Sequence, residues 1–353
     1  MLHEFYHDKN ILITGNTGFK GSWLSLWLTQ MGAQVHGIAL EPLTSSDHFV
    51  VTRQNDHIDH TVVDIRNFDK LNATIQSIKP EIIFHLAAQP IVIDSYDSPL
   101  YTFETNVMGT ANVLEASRQV QTLKSIIVIT TDKCYENREW DYSYRENDAL
   151  GGYDPYSSSK AAAEIVTQAY RRSFYNGEVS VCTARAGNVI GGGDWQKHRL
   201  VPDLMRAVQA NETMHIRNPN SIRPWQHVLE PLRGYLMLAK KSFDHPKACR
   251  GAWNFGPDAK GSVSVDKVMQ IARSSFKELP VTFGNGEPAN HEAELLLLDS
   301  SKAGNQLGWY PTLNLEETID MTVQWYAAFF DKKDMHRVSV DQIKRFEEIN
   351  NAD

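Results

Sequence analysis

Cysteine is scarce in this chain of 353 residues, and Cys134, Cys182 and Cys249 lie far apart without forming a CxxC pair. A disulfide framework or a structural zinc site is therefore not expected, and this cysteine usage is typical of a reducing cytoplasm. The net charge is −8 and no cluster of Lys or Arg appears, which argues against nucleic acid as a partner. No run approaches the ~20 apolar residues of a membrane span, and the first residues lack the pattern of a signal peptide.

Short apolar runs that alternate with helical patterns fill the first half of the chain. This alternation predicts a doubly wound parallel sheet, an α/β fold of the Rossmann type. We expect residues 1–190 to form a dinucleotide-binding domain and residues 191–353 to form mainly a smaller, mixed, substrate-binding lobe that ends in a polar surface helix. The predicted strands are 10–14, 34–40, 60–64, 81–87, 125–131 and 179–186, and the predicted helices are 22–31, 68–78, 99–117, 155–175, 202–210 and 231–241.

A glycine-rich turn joins the first predicted strand to the first predicted helix in the segment ILITGNTGFKGSWL. Gly15, Gly18 and Gly21 stand in GxxGxxG spacing, which permits a tight turn and lets the backbone approach a pyrophosphate. The N–H groups at the start of the helix then face the phosphates. The spacing alone is weak evidence, but its place between the first strand and the first helix predicts a dinucleotide site.

The charge near the end of the second strand bears on which dinucleotide binds. No Lys or Arg occurs between Gly21 and Thr52. A 2′-phosphate would require a cation there, so NAD is favoured over NADP. Glu41 is a candidate acceptor for the ribose hydroxyl, and a solvated loop carboxylate is an equally good interpretation of it. Asp64, at the end of the third strand, is better placed to meet the edge of the adenine.

Tyr156 and Lys160 are four residues apart in the segment GGYDPYSSSKAAAE. Asp154 and Pro155 predict a helix start, which places both side chains on one helix face. The ordinary pKa of a phenol is about 10, but a neighbouring ammonium and the positive helix end favour the phenolate. A phenolate so placed removes the proton of an alcohol as hydride leaves the adjoining carbon. A surface Tyr and Lys at helical spacing is the alternative that the pair alone leaves open.

The chain resembles the extended short-chain dehydrogenase/reductase family over essentially its whole length. The motifs that carry this resemblance are TGNTGFKG, VVDIR, HLAAQ, ETNVMGT and YSSSK. It implies NAD as the cofactor, a nucleoside-diphosphate sugar as the substrate, and a homodimer or dimer of dimers in which helices 99–117 and 155–175 of two subunits form a four-helix bundle. The cofactor residues that it implies are Gly15, Thr17, Gly18, Phe19, Gly21, Asp64, Ile65, Leu86, Ala87, Ala88, Asn106, Tyr156 and Lys160.

The fifth predicted strand ends at Thr131 and is followed by Asp132 and Lys133. Ligands of open α/β sheets bind at the carboxyl ends of the strands. Within the family, an acidic residue after this threonine is typical of the sugar 4,6-dehydratases. The resemblance therefore implies that Thr131 hydrogen-bonds the sugar 4-hydroxyl and that Asp132 protonates the leaving 6-hydroxyl. Hydride taken from C4 returns to C6, so NAD is regenerated in each turnover.

Lys133 departs from the thymidine-linked dehydratases, in which a glutamate removes the C5 proton. A lysine removes that proton only as a neutral amine; otherwise it stabilises enolate charge while another group takes the proton. The strings TTDKCYEN, GGYDPYS and RAGNVIGGGDW resemble the cytidine-linked dehydratases, which implies CDP-glucose as the substrate. A 4-epimerase or a dehydratase of another sugar nucleotide is the nearest alternative. A non-catalytic NAD-binding protein on the same fold is a remote one.

Polar and cationic residues in the second half of the chain are candidates to bind the sugar diphosphate. Guanidinium groups suit phosphate because they donate hydrogen bonds in a planar fork. Trp225 and Gln226, which lie beside these cations, are candidates to border the base. No group of His, Asp and Glu shows metal-ligand spacing, so no metal is expected. The candidate substrate residues are Asn188, Arg199, Leu200, Arg217, Arg223 and His227.

Overall fold

The computed structural model describes residues 2–175, 177–216, 219–257, 262–275, 281–283 and 295–351. The strands in them are β1 (Asn10–Thr14), β2 (Gln34–Ala39), β3 (Asp59–Val62), β4 (Ile82–His85), β5 (Ser125–Ile129), β6 (Ser180–Arg185), β7 (Val189–Ile190), β8 (Met214–Ile216), β9 (Ile222–Pro224), β10 (Gln226–His227), β11 (Gly251–Asn254), β12 (Ser262–Ser264) and β13 (Val281–Phe283).

A seven-stranded parallel sheet forms the centre of the molecule. Its strand order is β11–β6–β5–β4–β1–β2–β3, and every neighbouring pair is parallel. The chain order reverses between β1 and β4, which is the switch point where ligands bind in doubly wound sheets. The predicted fold class is confirmed.

Helices cover both faces of this sheet. The α-helices of the described residues are α1 (Leu2–Tyr6), α2 (Phe19–Gln30), α3 (His48–Val51), α4 (Phe68–Ile78), α5 (Val92–Asp97), α6 (Pro99–Phe103), α7 (Gly109–Ser117), α8 (Pro155–Ser173), α9 (Leu200–Ala210), α10 (Leu229–Asp244), α11 (Val265–Ser275), α12 (Ser301–Leu307), α13 (Leu315–Phe330) and α14 (Met335–Asn351).

Alternate residues of the strands face opposite sides of the sheet, and each side carries its own hydrophobic core. Ile11 and Ile13 of β1 belong to the core that includes Trp23 of α2, whereas Leu12 belongs to the core that includes Leu71 of α4. Burial on both faces is the reason that these strands are apolar at successive positions. The sheet is therefore rigid, and its carboxyl edge gives fixed positions to the loops that carry the site.

Some elements of the structure differ from the prediction. Helix α2 begins at Phe19 rather than at residue 22, because Gly18 in extended conformation already precedes the first turn. The predicted helix 99–117 is divided by a π-helical segment, Glu104–Met108. Strand β11 was not predicted, since the short sequence GAWN shows no strand periodicity.

The last described helix, α14, was predicted to be a polar surface helix, but one of its faces is buried. Val340, Ile343 and Phe346 are buried, and the indole Nε1 of Trp27 donates to Glu347 Oε1 at 2.7 Å. Apolar residues three or four apart form a narrow stripe within an otherwise polar segment. This stripe packs α14 against α2, the helix that follows the glycine-rich turn.

Elements from the second half of the chain join the central layers. Strand β11 pairs with β6, and α10 packs against β5. The short strands form the pairs β10–β7, β12–β9 and β13–β8. The division of the chain near residue 190 stays a prediction. Of the helices that the structure describes, none combines the length and the apolar character needed to cross a membrane.

Candidate active site

The glycine-rich turn after β1 forms a cradle that only glycine permits. Gly15 has a φ of +77°, and a Cβ there would lie 2.6 Å from the backbone nitrogen of Ala87 and 2.9 Å from the carbonyl carbon of Leu86. A Cβ on Gly21 would overlap the carbonyl of Gly15. The turn therefore lies directly against the loop after β4, and α2 begins just beyond Gly18. This bare backbone at a helix N-terminus fits the pyrophosphate of a dinucleotide.

The other predicted cofactor residues around this turn are close to it. Thr17 Oγ1 donates to the carbonyl of Leu40 at 2.9 Å, which ties the turn to the end of β2. The ring of Phe19 lies beside Gly191. Ala88 is half-buried in the loop after β4. The structure thus brings the predicted pyrophosphate loop and the loop of residues 86–88 into one place.

Asp64 lies beyond the carboxyl end of β3, as predicted, but it is paired within the chain. The guanidinium of Arg66 donates to its carboxylate at 2.6 and 3.0 Å, and this hydrogen bonding lowers the pKa of Asp64. Ile65 is buried against Gly109. Arg66 also contacts Glu104 at 3.4 Å, so its charge faces two carboxylates. The prediction of NAD over NADP considered cations only between Gly21 and Thr52, and it therefore did not include Arg66.

Asn106 was predicted to contact the cofactor, but its side chain is buried and bonded within the protein. Its Oδ1 accepts from the backbone of Gln89 at 2.8 Å, and its Nδ2 donates to the Gln89 carbonyl at 3.0 Å and to Ser159 Oγ at 2.8 Å. This placement argues against direct contact with the cofactor. Asn106 instead fixes the loop after β4 to α8, the helix that carries Tyr156.

The predicted oxidising pair lies at the start of α8, and the helix begins as predicted. Asp154 caps it by accepting from the backbone of Ser157 at 2.9 Å, and Pro155 is its first residue. Tyr156 and Lys160 are both nearly buried. Lys160 Nζ donates to the carbonyl of Ile129 at 3.2 Å, which places the amine at the carboxyl end of β5.

Burial dominates the titration of both groups. It raises the pKa of Tyr156 to about 12, although a hydrogen bond with Thr131 and the charge of Arg199 act in the opposite direction. Burial also lowers the pKa of Lys160 to about 8, while the Glu164 carboxylate opposes this effect. The expected lowering of the phenol pKa is therefore outweighed by desolvation, and the phenol is protonated at neutral pH.

A short 3-10 turn, Asp132–Cys134, follows β5 and holds the predicted dehydratase residues. Asp132 is completely buried. Its Oδ1 accepts from Thr131 Oγ1 at 2.9 Å and from Lys133 Nζ at 3.4 Å. Its Oδ2 is buried without a hydrogen-bond partner in the described part of the chain, and it lies where a side chain on residue Gly187 would be. One carboxyl oxygen is thus held and the other is available.

Lys20, the second residue of α2, belongs to the same site and was not predicted. Burial, followed by the charges of Lys160 and Arg199, lowers its pKa to about 7, and it also interacts with Asp132. These electrostatic interactions place Lys20, and with it the glycine-rich turn, close to the end of β5. The available signal was a lysine between Gly18 and Gly21, at the helix end where phosphates are expected.

The structure brings one of the predicted substrate cations close to Tyr156. Arg199 precedes Leu200, the first residue of α9, and its Nη1 donates to Asp194 at 2.8 Å. Its charge acts on the phenol of Tyr156. Asn188 adopts a left-handed conformation with a φ of +48° after β6. Arg223 lies on β9 and Arg217 lies outside the described residues.

His227 and its neighbours occupy the core rather than the surface of the site. His227 is completely buried, and its ring packs edge-on against Trp23. Trp225 and Gln226 are also buried, and Gln226 Nε2 donates to the carbonyls of Gly187 and Phe255. Their positions argue against the predicted contacts with substrate. The sequence alone did not indicate that these three residues are buried, because their burial depends on elements distant in the chain.

A metal site is not evident among these residues. No cluster of three or more His, Cys, Asp or Glu side chains able to hold a metal ion occurs in the part of the chain that the structure describes.

Comparison with known proteins gives matches along nearly the whole chain. A family described as GDP-mannose 4,6 dehydratase matches residues 12–322. A CDP-glucose 4,6-dehydratase from Salmonella typhimurium is 48% identical over 94% of this chain and 94% of that protein.

Solved structures share the fold. An epimerase from Methanothermobacter thermautotrophicus has a TM-score of 0.82 at 22% identity over 94% of this chain and 95% of its own. A dTDP-glucose 4,6-dehydratase from Streptomyces venezuelae, solved with NAD, has a TM-score of 0.77 at 20% identity over 92% and 99%. The predicted resemblance is confirmed: the chain belongs to the GDP-mannose 4,6-dehydratase family, within the extended short-chain dehydrogenases/reductases, and is an NAD-dependent hydro-lyase.

Proposed function

We propose that this chain converts CDP-glucose into CDP-4-dehydro-6-deoxyglucose. The observation that carries the proposal is the buried Asp132 carboxyl, placed beside Thr131 in the same site as Tyr156 and Lys160. An epimerase has no need of a general acid at this position. The cytidine preference is supported by the 48% identity to a CDP-glucose 4,6-dehydratase.

The first step requires a base for the sugar 4-hydroxyl. Bound NAD would accept hydride from C4 and return it at C6. Tyr156 takes the hydroxyl proton, and Thr131, which is hydrogen-bonded to the phenol, orients the same oxygen. Because the pKa of Tyr156 is about 12, the phenolate forms only with help from positive charge. Arg199 already acts on the phenol in this direction, and we assign the further positive charge to Lys160, which shares the helix face of Tyr156.

The second step removes water across C5 and C6. The 4-keto group makes the C5 proton acidic. Lys133, which lies beside Asp132, either removes this proton as a neutral amine or stabilises the enolate charge while another group takes it. The C6–O bond breaks as Asp132 gives its proton to the leaving oxygen. Since Oδ1 is held by Thr131 and Lys133, the free Oδ2 is the atom that carries the proton.

The remaining predicted contacts are part of the same proposal. We assign the pyrophosphate of NAD to the backbone around Gly15 and Gly18, and the sugar diphosphate to Arg199 and Arg223 together with Arg217. Asn188, at the end of β6, faces the sugar. Buried, free cysteines support a cytoplasmic location.

A substrate panel tests the proposed function. Incubation with CDP-, dTDP-, UDP- and GDP-glucose should give a 4-keto-6-deoxy product, detected by its alkali-induced ultraviolet absorbance, with CDP-glucose as the best substrate. Tyr156→Phe should lower kcat by at least ~100-fold because it removes the base. If another sugar nucleotide were the best substrate, the chain would be a 4,6-dehydratase of that sugar nucleotide. A C4 epimer as product would make the chain an epimerase, and equal turnover by Tyr156→Phe would exclude the proposed pair.

We also propose that the chain forms a homodimer through α6, the π-helical segment and α8. The sequence pattern indicates no clear apolar outer face on these helices. In the structure Leu100 is 77% exposed, and Met108 and Ile165 are each 56% exposed, while α6 packs against α8. Exposed apolar side chains grouped on packed helices are typical of an interface, and a second copy of this chain would cover them.

A further inference from the structure

A buried ion pair that the proposed mechanism does not use joins α8, the helix of Tyr156 and Lys160, to β6. Glu164 and Arg185 are each less than 5% exposed. Arg185 donates from Nε to Glu164 Oε1 and from Nη2 to Oε2, both at 2.9 Å. Thr130 and Thr183 donate to the same two oxygens at 2.6 and 2.7 Å. The carboxylate is therefore fully bonded, and its position is fixed by two strands.

These bonds attach the helix of the catalytic pair to the strand of the dehydratase residues. Glu164 lies four residues after Lys160 on α8, so the two side chains share a helix face. Thr130, which bonds Glu164, directly follows Ile129, whose carbonyl accepts from Lys160. Two successive residues at the end of β5 thus hold two successive turns of α8. Thr131 comes next in the chain.

The negative charge of Glu164 also acts on Lys160 and raises the pKa of its amine. Burial raises its pKa, but the charge and hydrogen bonds of Arg185 outweigh this, so the group stays ionised. The groups facing Lys160 from other elements are Lys20, His85 and Cys134. Burial lowers the pKa of His85 to about 3 and raises that of Cys134, so both are neutral. Lys20 opposes a charge on Lys160.

We propose that Glu164 is a positioning residue of the dehydration: it fixes α8 against the end of β5 and supplies the negative charge that keeps Lys160 protonated beside Tyr156. This inference rests on the proposed function for its meaning in catalysis. Glu164→Gln keeps the shape of the side chain and removes its charge. Lys160 then loses its proton at lower pH, and the alkaline limb of the kcat profile moves down by about 1 to 3 pH units.

A buried arginine without its carboxylate destabilises the fold, so a second variant separates charge from folding. Glu164→Gln combined with Arg185→Gln restores a neutral, hydrogen-bonding pair. We expect this double variant to regain the wild-type unfolding midpoint and to keep the shifted kcat profile. Glu178→Gln is the matched control, because it removes an exposed carboxylate paired with Lys124 and should leave the profile unchanged.

A titration that needs no turnover keeps the two proposals apart. The ionisation of Lys160 is followed by NMR of isotope-labelled lysine in the resting protein and assigned with Lys160→Met. A lower midpoint in both Glu164 variants supports the inference even if CDP-glucose is not the substrate. An unchanged Lys160 midpoint, or a double variant with the wild-type kcat profile, overturns it. Absence of turnover in the wild-type protein would contradict only the proposed function.

Discussion

Gly187 shows how a missing side chain shapes the chemistry of one residue. It follows β6, and any Cβ there would occupy the space of the Asp132 carboxyl group. Gln226 holds the Gly187 backbone by donating to its carbonyl at 3.1 Å. The backbone of Gly187 therefore cannot shift easily, so an added Cβ would displace the carboxyl group of Asp132 instead. The available oxygen of Asp132 is defined by this glycine as much as by its own bonds.

Gly187→Ala should therefore lower kcat by about 100-fold, because a displaced acid no longer meets the leaving hydroxyl. The unfolding midpoint should change little, since the atom that must move is the end of a side chain. Steady-state kinetics and thermal unfolding measure the two effects. The control is Gly177→Ala, where an added Cβ meets nothing within 4 Å. Wild-type kcat in Gly187→Ala would show that the Asp132 position is not critical.

The helix start and the strand end that local signals predicted agree with the structure. The cap at Asp154 and the four-residue spacing placed Tyr156 and Lys160, and the strand end placed Asp132. Glu164 and Lys20 were not identified, because their roles depend on burial and on charges brought from other elements. The role of His227 in substrate binding stays a prediction, and the complete burial of its side chain depends on distant elements that the local sequence does not indicate.

At the level of elements, α10 is joined to the segment before α13 by one buried carboxylate. Glu230 Oε1 accepts from the backbones of Thr312 and Leu313, both at 2.7 Å. Its Oε2 is buried without a hydrogen-bond partner among the described residues. Burial raises the pKa of Glu230 to about 7 from its ordinary 4.5. This contact should therefore make the stability of the fold depend on pH.

The sign follows from proton release on unfolding. Between pH 4.5 and about 7 the folded carboxyl keeps a proton that the unfolded chain releases. Stability is thus full below pH 4.5 and is lost as pH rises through about 7, by about 3 kcal/mol. Glu230→Gln lacks this dependence, so denaturant unfolding at pH 5 and pH 8 should show the wild type losing stability relative to the variant. An equal difference at both pH values would contradict the argument.

The periodic elements were predictable, and the irregular ones were not. Buried parallel strands and capped helices carry their pattern in adjacent residues, so β1, α4 and the start of α8 were placed well. The π-helical segment contains Asn106, whose side chain bonds the distant residues Gln89 and Ser159. Strand β11 depends on an edge that β6 provides. Neither of these causes lies in the local sequence.

At the scale of the whole molecule, the exposed apolar side chains on α6 and α8 predict association of two chains. Ile165→Glu would place a charge on that surface, and it should weaken the dimer by about 100-fold. Light scattering over a range of concentrations measures this change. Val50→Glu is the control, because Val50 is also exposed but lies on α3. A dimer of unchanged affinity in Ile165→Glu would place the interface elsewhere.

The hydrogen bond from Trp27 to Glu347 spans 320 residues. Helix α14 covers part of α2, so during synthesis this part of the apolar face of α2 stays open until residues 335–351 have left the ribosome. Contacts between such distant residues form late and slowly. The cofactor turn that precedes α2 is therefore synthesised long before its supporting helix is covered by α14. Nascent chains that lack residues 335–351 should bind the cofactor more weakly than chains that contain them.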